Sequence, residues 1–225
     1  MALVITAVAL VVVLGHGGSK TPAAAIVPSG PSASGSAGPT GSTNSASAPP
    51  IEDGVVVGRS TKVTIDVYED YMCPYCRQFE ESSGTALEGF ASGGTARVRY
   101  HMIAILDRMS STNYSTRAAS AAYCANDAGV FSAFHKLLMV NQPAEGSAGI
   151  TDEQLIELGK TAGATGADFA QCVSSQRYVA YVAQATQHAI SGGLQGTPTV
   201  AVNGQRLTSP SLSSLQTAVH QAGGS

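Results

Sequence analysis

The chain has 225 residues and a formal net charge of −3; charged residues make up 12% and tryptophan is absent. That balance excludes the basic footprint of a nucleic-acid binder. Setting aside the first 50 residues leaves roughly 175, enough for one domain with its own core.

Met1 to Gly15 is almost wholly apolar. At 1.5 Å per residue it makes about 22 Å of helix, short of the ~30 Å hydrocarbon core. It also lacks the basic residues that open a signal peptide. We expect it to anchor the chain in a membrane, with basic residues and more of the span lying upstream. The alternative is a signal cleaved near Pro22-Ala23-Ala24-Ala25. Residues 16–50 are mostly Gly, Ser, Ala, Pro and Thr. Such a tract cannot bury enough surface to offset its ordering entropy, so it reads as a flexible linker.

Order is expected from 51 to 225. Gly54 to Gly58 is a short strand candidate. Lys62 to Tyr68 alternates as a strand, with Val63, Ile65 and Val67 on one face. Next comes Cys73-Pro74-Tyr75-Cys76, opening a helical run from Arg77 to Phe90. A Cys-x-x-Cys at a strand-to-helix junction is a redox signature. The unpaired N–H groups and the positive dipole end of the helix stabilise a thiolate at Cys73. Pro74 suits the first helical position, where its missing N–H costs nothing. Cys76 then lies close enough to attack a mixed disulfide formed at Cys73. Ala96 to Leu106 reads as the next strand, parallel to the one before.

From about 113 to 191 the pattern is helical. Candidate helices are Thr116 to Asn126, Val130 to Val140, one capped by Thr151 and Gln154, Asp168 to Val173, and Gln176 to Ile190. The sheet resumes at Thr197-Pro198-Thr199-Val200-Ala201-Val202. Asn203-Gly204 is a hairpin turn, and Ser209-Pro210 caps a last helix.

The cysteine count is four, an even number that suits an oxidising compartment. Two cysteines sit in the motif; Cys124 and Cys172 are left to form a structural disulfide between two helices of the block. Zinc at the Cys-x-x-Cys would need about four ligands, and no second Cys pair or His pair is in register, so neither metal nor cofactor is expected. Arg77, one turn after Cys73, reads as an exposed side chain, with stabilisation of the Cys73 thiolate as the alternative, and His101 as a structural histidine. His16, His135, His188 and His220 carry no pattern.

The order strand, Cys-Pro-Tyr-Cys helix, strand, helical block, Gly196-Thr197-Pro198, hairpin and helix resembles the DsbA-like thiol–disulfide oxidoreductases. These have an α/β, thioredoxin-like fold with an inserted helical subdomain. The closer likeness is to membrane-tethered members from actinobacteria. It rests on Tyr68 to Cys76, Ile105-Leu106-Asp107-Arg108, Asn113 to Ala119 and Gly196 to Thr199. The resemblance implies that Cys73 is the attacking cysteine and Cys76 the resolving one. Pro74 and Tyr75 would tune the thiolate or contact substrate, as would Thr197 and Pro198, whose peptide bond would be cis. It implies a monomeric, extracytoplasmic dithiol oxidase that acts on exported proteins with reduced cysteines and is reoxidised by a membrane partner of the DsbB or VKOR type. The alternatives are a reductase for a specific substrate and, from another class, a tethered module holding copper on its thiolates. Many relatives place a buried acid six residues before the first cysteine. Here that position is Val67, so a proton relay would use Asp66, Glu69, Asp70 or water.

Overall fold

The computed structural model describes residues 54–223. The anchor and linker expected over 1–15 and 16–50 lie outside them. No helix among the described residues is long and apolar enough to cross a membrane.

Among the described residues five strands form one sheet: β1 (Val55–Val57), β2 (Thr64–Glu69), β3 (Arg97–Met102), β4 (Thr199–Val202) and β5 (Gln205–Arg206). Their spatial order is β1-β3-β2-β4-β5. β2 and β3 run parallel, with Thr64 opposite Arg97 and Glu69 opposite Met102, and α1 (Pro74–Ser92) connects them. β1 is antiparallel to β3, β4 to β2 and β5 to β4. The fold is therefore thioredoxin-like, as expected.

β2 sits at the centre of the sheet. The alternation over Lys62 to Tyr68 places Val63, Ile65 and Val67 on one face, and all three are buried. Asp66 and Glu69 are buried as well, since α1 and the inserted helices cover the sheet. The strand also runs one residue further than expected, through Glu69, which carries that carboxylate into the interior. β3 ends at Met102, short of Leu106. The Ile103 amide still bonds the Glu69 carbonyl, and the chain then turns into a 3-10 segment at Asp107–Met109.

Between β3 and β4 lie α2 (Tyr114–Asp127), α3 (Phe131–Val140), α4 (Asp152–Ala162), α5 (Ala167–Ser174) and α6 (Val179–Ser191). α2 is the hub and packs on α3, α4, α5 and α6. Its buried Ala118, Ala119, Ala121, Ala122 and Ala125 let the neighbours approach closely. Thr151 and Gln154 form the reciprocal capping box at the start of α4. Gly159, in the middle of α4, is required by contact: a Cβ there would lie 1.9 Å from the Phe169 ring of α5. A Cys124–Cys172 disulfide links α2 to α5.

The hairpin turns at Asn203 (φ 48°) and Gly204 (φ 80°), the left-handed pair that a type I′ turn demands. Asn203 also ties the turn to the edge of β2, accepting from the Thr64 amide and donating to the Lys62 carbonyl. The last helix, α7 (Leu212–Gln221), is capped by Ser211 and Ser214 and not by Ser209. Ser209 contributes only its carbonyl, which accepts from the Ser214 hydroxyl. The capping hydroxyl must sit immediately before the first helical residue, and Pro210 separates Ser209 from it.

Candidate active site

Cys73 is the N-cap of α1 and Pro74 its first residue, so the helix begins one step after the first thiol. The turn that delivers Cys73 is built by Asp70. Its carbonyl accepts the Cys73 amide, and its carboxylate accepts from the Met72 amide, the Leu106 amide and the Ser115 hydroxyl. Strand end, 3-10 segment and α2 thus converge on one side chain. Burial pushes the Asp70 carboxyl up to about 6 against these hydrogen bonds. Gln142, just beyond α3, donates to the Cys73 carbonyl at 3.0 Å and fastens the inserted helices to the motif.

Both motif cysteines are free thiols here, so this is the reduced form. Cys73 is 5% exposed and Cys76 fully buried. The Cys76 thiol donates to Cys73 and is the largest influence lowering its pKa. Burial opposes it. Thr197 and the Cys76 and Tyr75 amides lower it further, to about 6. Burial first, then the hydrogen bond to Cys73 and the charge of Glu69, push Cys76 well above the ordinary thiol range. Cys73 is thus the sulfur that ionises first as pH rises, and it is the less buried of the two, the properties a nucleophilic thiol needs. Tyr75, between them in sequence, is 69% exposed.

Across from the motif, the Thr197–Pro198 peptide bond is cis, and the Cys73 sulfur lies 3.3 Å from the Thr197 carbonyl. Tyr75, Phe79, Thr197, Pro198 and Pro210 line a shallow groove beside the sulfurs. An extended peptide could lie there and pair with backbone as an added strand would.

A family model described as thioredoxin matches residues 51–221. The fold superposes on the reduced form of DsbG from Mycobacterium tuberculosis with a TM-score of 0.70 and 31% identity, over 78% of this chain and 90% of that one. The chain belongs to the thioredoxin family, as a thiol–disulfide oxidoreductase of the DsbA type. Reduced DsbA from the same organism gives a TM-score of 0.68 at 31% identity, covering 77% and 93%. The serine/threonine-protein kinase PknE of M. tuberculosis is 38% identical over 122 residues, which is 51% of this chain but only 22% of the kinase. Nothing of the kinase's activity carries over from so short a share of its length.

The three acids near the motif of this DsbA-type protein have distinct fates. Burial would raise Asp66, but hydrogen bonds from His101 and Arg99 hold it below its usual value. Its carboxylate pairs with Arg99 at 2.7 Å and His101 at 2.9 Å, and His101 stacks on Tyr68. His101 is therefore structural. Asp70 is committed to the turn. Glu69 remains: fully buried, with no hydrogen-bond partner on either oxygen. Burial first, then the charges of Glu80 and Cys73, push its carboxyl well above the ordinary range. Arg77 is half exposed and pairs with Glu81, away from a dedicated role at the thiols.

His135 escaped the sequence reading. It lies buried on α3, with Nδ1 2.9 Å from the Tyr71 hydroxyl and Nε2 3.5 Å from both Glu69 and Glu80. The signal was present in its position: Phe131, Phe134, His135 and Leu138 share one buried stripe. A titratable residue on an apolar stripe needs an interior partner.

A test of the thiol asymmetry follows from these pKa directions. Reduced protein treated with iodoacetamide should be alkylated at Cys73 with an apparent pKa near 6, while Cys76 stays unlabelled up to pH 8. Peptide mapping against pH reads both sites. Equal slow labelling of the two sulfurs would contradict the geometry.

Proposed function

We propose that this oxidoreductase is an extracytoplasmic dithiol oxidase that passes a Cys73–Cys76 disulfide to exported proteins carrying reduced cysteines. A substrate thiolate attacks the Cys73 sulfur. The Cys73–Cys76 bond breaks, and the Cys76 sulfur leaves and takes up a proton. A second substrate thiolate then attacks the substrate sulfur of the mixed disulfide. The substrate disulfide forms and Cys73 departs as a thiolate. The substrate loses two electrons and the enzyme gains them; a membrane reoxidant of the DsbB or VKOR type removes them again.

The observation that carries the direction is the Cys73 thiol at about 6. A stabilised thiolate favours the reduced enzyme and makes Cys73 the better leaving group, so the disulfide becomes the stronger oxidant. The apolar start of the chain and the buried Cys124–Cys172 disulfide support an oxidising compartment outside the cytoplasm. Tyr75, Thr197 and Pro198 are assigned to substrate contact through the groove they line.

Equilibrium with glutathione tests the direction. We expect a potential less negative than about −200 mV, on the oxidising side of the glutaredoxins. A value near −270 mV, that of a cytosolic reductant, would reject the oxidase in favour of the reductase.

A further inference from the structure

We propose that Glu69, Glu80 and His135 form a binding site for a divalent transition-metal ion, with zinc as its natural probe. The site lies beneath the thiols and does not depend on which way they exchange electrons.

The three side chains come from the end of β2, from α1 and from α3. One carboxylate oxygen of each glutamate and Nε2 of the histidine all lie within 4.8 Å of one another. The His135 nitrogen is 3.5 Å from Glu69 Oε2 and 3.5 Å from Glu80 Oε1. Those separations are too long for hydrogen bonds. They match ligand spacing: two atoms each about 2.1 Å from a tetrahedral ion lie about 3.4 Å apart.

The second observation is what these atoms lack. Both oxygens of Glu69, Oε1 of Glu80 and Nε2 of His135 are buried without a hydrogen-bond partner. Glu69 is 0% exposed. Buried polar groups in folded proteins are almost always satisfied, and a buried carboxylate without a donor is costly. Three of these atoms, one from each residue, face one another, and a cation among them accounts for their lack of partners. Two carboxylates and a neutral imidazole carry two negative charges, which a divalent ion cancels. His135 is also braced as ligating histidines are, with its other ring nitrogen on the Tyr71 hydroxyl.

Three ligands leave a fourth position open. Glu80 and His135 both line a cavity of about 220 Å³ between α1, α3 and the sheet. It supplies an entry route and room for a water as the fourth ligand. The donor set of one nitrogen and two carboxylate oxygens suits zinc and its first-row neighbours better than copper(I), which prefers sulfur.

The test uses the full chain with Cys73 and Cys76 joined as a disulfide, so that neither sulfur can bind metal. After EDTA treatment and buffer exchange, titration with Zn²⁺ should show one ion per chain and a rise in Tm. Co²⁺ should give the visible bands of a tetrahedral site with no thiolate charge-transfer band. Glu80→Gln, at the cavity wall, should fold and lose at least tenfold in zinc affinity, since even the loss of a supporting contact costs 10–100-fold. His135→Gln should do the same, and Lys136→Gln, an exposed neighbour on the same cavity, should bind as the parent does. A parent protein that holds no zinc at tenfold excess, or zinc binding unchanged in Glu80→Gln, would overturn the site. Neither result bears on the glutathione equilibrium, which judges the oxidase separately.

Discussion

Cys73→Ala is expected to abolish oxidative refolding of a reduced, denatured disulfide protein, while Cys76→Ala accumulates mixed disulfides. The difference comes from the positions of the two sulfurs. Cys73 stands at the helix start, slightly exposed, with its thiol near 6. At pH 7 that gives about ten thiolates for each thiol. Cys76 is wholly buried with its thiol well above the usual range, so it cannot receive an incoming substrate. Removing Cys73 removes the only sulfur of the motif that a substrate can reach. Without Cys76 there is no disulfide for a reduced substrate to attack. The Cys73 thiolate can still attack a disulfide of an oxidised substrate, forming a mixed disulfide and releasing the other substrate sulfur as a thiol; the internal thiol that would free the trapped protein is gone. Non-reducing gels after incubation of Cys76→Ala with a disulfide-bonded exported substrate read the mixed disulfide, and the refolding assay reads Cys73→Ala. Refolding by Cys73→Ala at the parent rate, or mixed disulfides formed through Cys76 in that variant, would sink the assignment.

The same thiolate links stability to pH. Cys73 is depressed in the folded reduced protein, from about 8.5 in an unfolded chain to about 6. Its contribution is fully present above about 8.5 and is lost as pH falls through 6. At pH 7 it is on the order of 1.4 kcal/mol for the reduced form. That increment favours the dithiol over the disulfide, which is the physical content of an oxidising potential.

The second large effect is expected at the other cysteine pair. Replacing Cys124 and Cys172 together by Ala should lower stability by about 4 kcal/mol, from the chain-entropy value of a loop spanning 48 residues. For a domain of this size that is a fall in Tm of roughly 8–16 °C. The loop contains α3 and α4 and closes on α2, the helix around which the insertion packs. Gln142 reaches the Cys73 carbonyl from within that loop. Loosening it should therefore also widen the spread of motif conformations. Both sulfurs are buried. Dithiothreitol that reduces Cys73–Cys76 within minutes should leave Cys124–Cys172 intact until the protein unfolds. A double variant with unchanged Tm, or a Cys124–Cys172 bond that reduces first, would contradict this.

Much of the fold was legible in the chain because its signals are local. A thiol pair with Pro74 between the sulfurs marks a helix start through backbone groups within one turn. Thr151 with Gln154, and Asn203 with Gly204, declare a cap and a hairpin through bonds spanning a few residues. Parallel pairing of β2 and β3 followed from the helix between them. Where locality failed, the errors were small, as with the cap at Ser211 and the strand that reaches Glu69.

The interior polar cluster belongs to tertiary structure alone. Glu69, Glu80 and His135 stand 11 and 55 residues apart along the chain and share no motif spacing. His135 follows the apolar period of α3 and, by sequence, resembles any core position. Glu69 seemed one of three equivalent acids until hydrogen bonds claimed Asp66 and Asp70. Only when β2 lies at the sheet centre, α1 crosses it and α3 packs on α1 do three such side chains meet in the interior. Sequence spacing encodes contacts within a few turns of a helix or a strand pair. Contacts between elements depend on how whole faces pack, and that is decided when the core closes.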